Sequence, residues 1–146
     1  RLLDKYIKGE TFMVTYGDGV SDVNLTELCA FHESHNKIAT VTGISPASIF
    51  GEMIIKGTEV VGFREKPVNN QKSTNGGYFV FDRRVFDYIA DDGLSDLETH
   101  TLVKLADDGE LMVYHHKGFW ACMDTQRDIQ HLNDLWQRGK APWKVW

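Results

Sequence analysis

The sequence predicts an α/β fold in which helices pack on a β-sheet. Apolar runs of strand length alternate with segments that begin on helix-capping residues, and the chain has no internal repeat. The 146 residues are 42% apolar and 25% charged, which is the balance of a globular domain with its own core. Residues 1–146 are therefore predicted to form one domain.

Charge and hydropathy exclude several classes of protein. The net charge of -5 argues against a nucleic-acid partner, which requires a clustered basic surface. No apolar run approaches the about 18 residues of a membrane span, and the first residues lack the apolar stretch of a signal peptide. Cys29 and Cys122 form no CxxC motif, which favours reduced, packed thiols. We expect a cytoplasmic protein without a membrane partner.

Local signals predict the individual elements. Asn24 with Glu27, and Ser95 with Glu98, have the spacing of a capping box, and Thr125 can cap a third helix. A Gly-Thr pair between two apolar runs predicts a hairpin. Strands are predicted at 12–20, 38–44, 52–56, 59–65, 78–81 and 111–115, helices at 25–35, 83–90, 96–108 and 126–138, and connections at 68–74 and 118–122. The residues predicted on the buried side of the last helix are Ile129, Leu132, Leu135 and Trp136.

The apolar run at 12–20 contains a single acid, Asp18, between two glycines. A continuous apolar run closed by a glycine turn is typical of a strand buried on both faces of a parallel sheet. Asp18 would then lie at the carboxyl end of that strand, where α/β sheets bind ligands, and the glycines would let phosphates approach. The alternative is a tight turn whose aspartate hydrogen-bonds its own backbone.

Other polar residues have both a functional and a structural interpretation. Asp124 could cap the helix that follows it, or it could join Asp18 as a ligand of Mg²⁺. Lys66, after Glu65 at the end of a hairpin strand, could reach a phosphate, or the two could be ordinary surface neighbours. Asn75 precedes two glycines and could contact hydroxyls or mark a turn.

The histidines indicate packing more than metal binding. His32 and His35 have a helical spacing that can bind zinc, but no third ligand is evident and His32 falls on the apolar face. His115 and His116 are adjacent in a predicted strand, so their side chains point in opposite directions.

Five segments, in this order, resemble a known family. They are residues 16–20 (YGDGV), 63–67 (FREKP), 75–80 (NGGYFV), 118–120 (GFW) and 123–125 (MDT). Together they are similar to the glucose-1-phosphate cytidylyltransferase group of the sugar-phosphate nucleotidylyltransferases, over essentially the whole chain. The resemblance implies a Rossmann-like, GT-A-like fold with a mixed sheet flanked by helices.

The resemblance also implies a reaction and a set of site residues. CTP and glucose 1-phosphate would give CDP-glucose and pyrophosphate, for nucleotide-sugar and O-antigen biosynthesis, by in-line attack of a sugar-phosphate oxygen on the α-phosphorus. Asp18 and Asp124 would hold Mg²⁺, and Lys66 would contact the phosphate of the sugar, so Lys66 and Asp18 are the implied catalytic residues. The other implied contacts are Glu65 and Asn75 with glucose hydroxyls, Gly51 and Gly76 with the sugar ring, and Tyr16 and Gly17 with the nucleotide.

The sequence departs from the family in one respect. Family members begin with a strand and a glycine-rich G-G-x-G-T-R loop around the nucleotide phosphates, and this motif does not occur here. The sequence is therefore interpreted as the carboxyl-terminal part of a nucleotidyltransferase domain, without its amino-terminal nucleotide-binding portion and inactive alone. A non-catalytic sugar-phosphate-binding or assembly module is the alternative. An absent first strand would expose an apolar sheet edge, so we also expect a homo-oligomer.

Overall fold

The computed structural model describes residues 2–45, 52–64, 73–90, 93 and 96–146. The strands in these ranges are β1 (Thr11–Thr15), β2 (Gly19–Ser21), β3 (Ala39–Ile44), β4 (Glu52–Lys56), β5 (Glu59–Arg64), β6 (Thr74–Asp82), β7 (Leu111–His115) and β8 (Trp120–Cys122). The α-helices are α1 (Leu25–His35), α2 (Leu102–Asp107) and α3 (Gln126–Gln137). Shorter 3-10 turns lie at Asp4–Tyr6 and Arg83–Tyr88, and a π-helical turn at Leu97–Thr101 precedes α2.

Four of the strands form a mixed sheet in the order β1-β6-β3-β7. β6 is antiparallel to both β1 and β3, and β7 is parallel to β3. Strands β1, β3 and β7 therefore run in one direction, and their carboxyl ends share one edge with the amino end of β6. The predicted α/β class and mixed sheet are confirmed.

Helical segments cover both faces of this sheet. Phe79 and Phe81 stack with ring centroids 5.4 Å apart and belong to a buried cluster with Phe86 and Leu105, from the segments after β6 and before β7. Because side chains alternate along a strand, Thr40 on β3 faces the opposite side, where it contacts two histidines of α1. The sheet is thus the middle layer of the fold.

The predictions for the first strand were partly wrong. The run at 12–20 contains two strands, β1 and β2, separated by Tyr16, Gly17 and Asp18. β1 is not buried on both faces, since it alternates between exposed and half-buried positions and Met13 is 41% exposed. Within the described ranges β1 has β6 as its strand partner and is antiparallel to it. An apolar run indicates a strand, but it does not show which faces are covered.

Two predicted connections contain strand residues. β6 begins at Thr74, so Asn75 and the two glycines after it lie in a strand and not in a turn. The segment 118–122 includes β8, which pairs antiparallel with β2 in a second, two-stranded sheet. The hairpin of β4 and β5 is confirmed and forms the third sheet, with a bulge between Ile54 and Ile55.

The helix caps follow the sequence closely. The Asn24 side chain accepts hydrogen bonds from the N–H groups of Thr26 and Glu27, and Thr125 forms a capping box with Asp128. The predicted cap Ser95 lies outside the described residues, and Asp96 caps the turn that follows.

The last helix is less buried than predicted. Leu132 is buried, but Ile129 is 37% exposed and Trp136 is 48% exposed. In the closing segment, Trp143 stacks on Phe119 at 5.5 Å, whereas Trp146 is 80% exposed. None of the helices in the described ranges has the length and apolarity that crossing a membrane requires.

Candidate functional site

Several predicted site residues lie at the sheet edge where β1 ends and β6 begins. Tyr16 follows β1, and its N–H donates to the carbonyl of Gly77 at 3.0 Å. Asn75 and Gly76 are the second and third residues of β6. The structure therefore brings together Tyr16, Asn75 and Gly76, with Gly17 next in the chain.

The side chains of Tyr16, Asn75 and Glu98 form a polar cluster at this edge. The Tyr16 hydroxyl donates to Glu98 Oε1 at 2.5 Å, and Asn75 Nδ2 lies 3.1 Å from Glu98 Oε1 and 3.3 Å from the Tyr16 hydroxyl. The Gly77 N–H donates to Asn75 Oδ1 at 2.8 Å. Burial, and then the hydrogen bond to Glu98, raise the pKa of Tyr16 to about 12, so the phenol stays protonated at neutral pH.

A ribbon formed by β2 and β8 brings Asp18 and Asp124 to the same end. Gly19 pairs with Cys122, and the Met123 N–H donates to the Asp18 carbonyl at 2.9 Å. Both aspartate side chains are exposed. Carboxylate oxygens are of the ligand type that Mg²⁺ prefers.

The contacts of Asp18 and Asp124 test their structural interpretations, which are a self-bonded turn for Asp18 and a helix cap for Asp124. Asp124 does not cap α3, because Thr125 does. Its Oδ2 instead accepts a hydrogen bond from the Cys122 thiol at 3.2 Å. Burial and the neighbouring carboxylate raise the pKa of that thiol. No hydrogen bond from the described residues reaches the Asp18 carboxylate, so the self-bonded turn is not formed with them.

Four side chains outside the predicted site form the contacts that attach the ribbon. Trp120 Nε1 donates to the carbonyl of Gly76 at 2.8 Å, which joins β8 to the start of β6. His116 Nε2 lies 3.0 Å from Asp22 Oδ1 and 3.1 Å from Ser21 Oγ, at the other end of the ribbon. Trp120 was visible in the GFW motif, but no local pattern indicated its partner.

The glycines at the site differ in what surrounds them. A Cβ on Gly76 would lie 3.0 Å from the Thr42 carbonyl oxygen and from Ile44 Cγ2, so packing against β3 already requires a glycine there. A Cβ on Gly17 would meet nothing within 4 Å. Gly17 therefore leaves open space beside Asp18, whereas Gly76 does not.

The remaining predicted residues Gly51, Glu65 and Lys66 lie outside the described residues. Among the residues that are described, no group of three or more His, Cys, Asp or Glu side chains could hold a metal ion. A metal at the ribbon end would rest on the aspartate pair and on ligand or water oxygens.

Comparison with known proteins identifies the family. Residues 1–141 match the Nucleotidyl transferase family. The chain belongs to this family. The chain is 44% identical over 143 residues to the glucose-1-phosphate cytidylyltransferases of Salmonella typhimurium and Salmonella typhi, and each alignment covers 97% of this chain and 55% of the relative. The chain thus spans about half the length of the curated relatives it matches.

Solved structures show the same fold. HddC from Yersinia pseudotuberculosis superimposes on this chain with a TM-score of 0.63 at 18% identity, covering 92% of this chain and 59% of that chain. At this identity the likeness supports the fold alone.

Proposed function

We propose that this chain is the sugar-phosphate and metal side of a glucose-1-phosphate cytidylyltransferase. The intact enzyme would form CDP-glucose and pyrophosphate from CTP and glucose 1-phosphate. The 44% identity to enzymes of that name carries the proposal. The common edge shared by Tyr16, Asn75 and the nearby aspartate pair supports it, because two substrates must meet at one site.

The proposed roles follow from the chemistry of the side chains. Asp18 and Asp124 would hold Mg²⁺ between them and the phosphate oxygens, and the ion would neutralise charge on the reacting phosphates. Asn75 would bind a glucose hydroxyl, and Gly76 would line the sugar ring. Tyr16 would lie beside the nucleotide.

The residues outside the described ranges complete the proposal. Lys66 would contact the sugar phosphate as a point charge, because an ammonium group suits a phosphate dianion. Glu65 would bind a second hydroxyl, and Gly51 would admit the ring. No enzyme nucleophile is required if the sugar phosphate attacks in line.

Binding and turnover can be measured separately on the purified chain. We expect calorimetry to detect glucose 1-phosphate binding, and chromatography of a mixture with CTP and Mg²⁺ to detect no CDP-glucose, because the G-G-x-G-T-R motif is absent from this sequence. CDP-glucose formation would refute the proposed inactivity. Binding without turnover would also be the behaviour of the alternative, a non-catalytic sugar-phosphate-binding module. Absence of any sugar-phosphate binding would refute both.

The metal assignment has its own test. Asp18→Asn and Asp124→Asn should each remove the Mg²⁺ dependence of sugar-phosphate binding, because each variant leaves one carboxylate in place of two. Asp134→Asn, on the exposed face of α3, is the matched control and should keep the dependence. Equal Mg²⁺ dependence in all four proteins would contradict the assignment.

Self-association is the remaining part of the proposal. The hairpin of β4 and β5 exposes the apolar side chains Ile54, Ile55, Val60 and Val61, each between 45% and 57% exposed. Within the described chain, β1 also has a hydrogen-bonding edge without a strand partner. We expect light scattering after gel filtration to give a mass above one chain. A single species of 16.7 kDa would contradict it.

A further inference from the structure

Glu98 lies in the polar cluster but has no assigned part in sugar binding. It lies in the first turn of the segment that begins at Leu97, and its side chain is exposed. Its Oε1 accepts hydrogen bonds from the Tyr16 hydroxyl and from Asn75 Nδ2. No group in the described part of the chain bonds Oε2, so that oxygen is available to a ligand.

The orientation of the Asn75 amide follows from its neighbours. A backbone N–H can only donate, so the atom that faces the Gly77 N–H must be Oδ1. The Nδ2 group therefore faces Glu98 and Tyr16. The Glu98 carboxylate supports the same orientation, because its oxygen can only accept a hydrogen bond and must therefore face the amide's donor.

The same geometry leaves one N–H of Asn75 available. From the three distances in the cluster, the angle at Asn75 Nδ2 between Glu98 Oε1 and the Tyr16 oxygen is about 46°. The two N–H bonds of an amide, in contrast, diverge by about 120°. One N–H is therefore shared between both acceptors. The other N–H has no partner within the described residues.

Among the residues that the structure describes, the cluster thus has one donor on Asn75 and one acceptor on Glu98 without a partner. A hydroxyl group both donates and accepts, so a sugar hydroxyl can satisfy both atoms at once, or two neighbouring hydroxyls can take one each. A phosphate dianion has no donor for the Glu98 carboxylate and is repelled by its charge. The cluster accordingly favours the hydroxyl side of a sugar phosphate and directs its phosphate elsewhere.

We propose that Glu98 is a further sugar-binding and specificity-determining residue, whose Oε2 accepts a hydrogen bond from a hexose hydroxyl beside the Asn75 amide. This inference rests on the proposed function, because it assigns a ligand group to the same sheet edge. Tyr16 has a positioning role in it: the phenol holds Oε1 and leaves Oε2 directed to the ligand.

A second Tyr-Glu-Asn arrangement in the chain supplies a matched control. The Tyr114 hydroxyl donates to Glu27 Oε2 at 3.1 Å, and Asn24 Nδ2 donates to Glu27 Oε1 at 2.9 Å. Both oxygens of Glu27 are therefore engaged, and the arrangement lies at the start of α1. Glu27→Gln makes the same chemical change as Glu98→Gln at a place where no ligand is proposed.

The experiment is calorimetric titration of the full chain with glucose 1-phosphate and its 2-, 3-, 4- and 6-deoxy analogues. Hydrogen bonds to charged groups are the strong ones, so Glu98→Gln should weaken glucose 1-phosphate binding at least about tenfold, and Glu27→Gln should leave it unchanged. For the wild-type chain, one deoxy analogue should have a lower affinity than glucose 1-phosphate. For the Glu98→Gln variant, the same analogue and glucose 1-phosphate should have equal affinities. That pairing identifies the hydroxyl.

The outcomes separate the two proposals. If the wild-type chain binds glucose 1-phosphate and a folded Glu98→Gln variant binds it equally well, the inference about Glu98 is overturned while the proposed function stands. If the wild-type chain does not bind glucose 1-phosphate, the proposed function fails and the inference fails with it. Should Glu98→Gln not fold by circular dichroism, Glu98→Asp withdraws the carboxylate by one methylene, and wild-type affinity in that variant overturns the inference.

Discussion

Gly77→Ala should lower the free energy of unfolding of the chain for two physical reasons that can be measured separately. Gly77 has a left-handed backbone with φ of +74°, and it holds Tyr16 through a main-chain hydrogen bond. A Cβ there would lie 2.9 Å from Tyr16 Cδ2 and 3.2 Å from Cγ. The substitution therefore strains the backbone and also pushes the phenol that bonds Glu98.

The two contributions have different sizes. A left-handed backbone costs a non-glycine residue about 1–2 kcal/mol, and forcing an extra methyl group into packed surroundings costs about 1–3 kcal/mol. Gly77→Ala should therefore lower the free energy of unfolding by about 2–5 kcal/mol. Gly109 also has a positive φ, +69°, but a Cβ there would meet nothing within 4 Å. Gly109→Ala should show the backbone contribution alone.

Urea unfolding followed by tryptophan fluorescence measures both variants, with equal m-values as the check that one transition is compared. Tyr16→Ala removes the ring atoms nearest the new methyl group. In that background Gly77→Ala should destabilise no more than Gly109→Ala does. Equal losses for Gly77→Ala and Gly109→Ala in the wild-type chain, or an unchanged loss in the Tyr16→Ala background, would refute the reasoning.

Two further predictions concern stability. Burial lowers the pKa of His32, which lies 2.9 Å from Thr40 Oγ1, so the folded state binds fewer protons than the unfolded state and stability should fall as pH decreases below about 6.5. The urea midpoint between pH 8 and pH 5 tests this, and an identical slope in His32→Asn would contradict it. Trp120→Phe leaves the Gly76 carbonyl without its indole donor and should lower the free energy of unfolding by about 1–3 kcal/mol in the same urea assay. Trp146→Phe, at an 80% exposed position, is the control, and similar losses for both variants would count against the hydrogen bond.

The parts of the fold that the sequence predicted correctly depend on neighbours in the chain. The caps Asn24 and Thr125 bond N–H groups two or three residues away, so their signal is complete within one turn of helix. The hairpin of β4 and β5 is likewise closed by two residues. Asp96, next to the predicted cap Ser95, likewise bonds the N–H groups of Glu98 and Thr99, two and three residues away.

The parts that the sequence did not predict depend on distant pairs. β2 and β8 have three residues each and lie about a hundred residues apart, so neither has a periodic pattern of its own. Glu98 carries a helix-start signal, and its bond to Tyr16 spans 82 residues. The resemblance to a family implies a metal-binding role for Asp18 and Asp124, but it did not include Glu98 or the partner of Trp120. Burial of β1 was misjudged because it depends on which strands lie beside it.

The long sequence separation within the polar cluster also affects how ligand binding will be observed. Tyr16 is 59 residues from Asn75, so the cluster exists only when β1 and β6 have paired and the unfolded chain presents no part of it intact. A ligand held there binds the folded state alone, and at a concentration of 100 times Kd it would add about 2.7 kcal/mol to the free energy of unfolding. Binding at this edge is therefore coupled to the cooperative unfolding of the central sheet, and a thermal shift of the whole chain reports it.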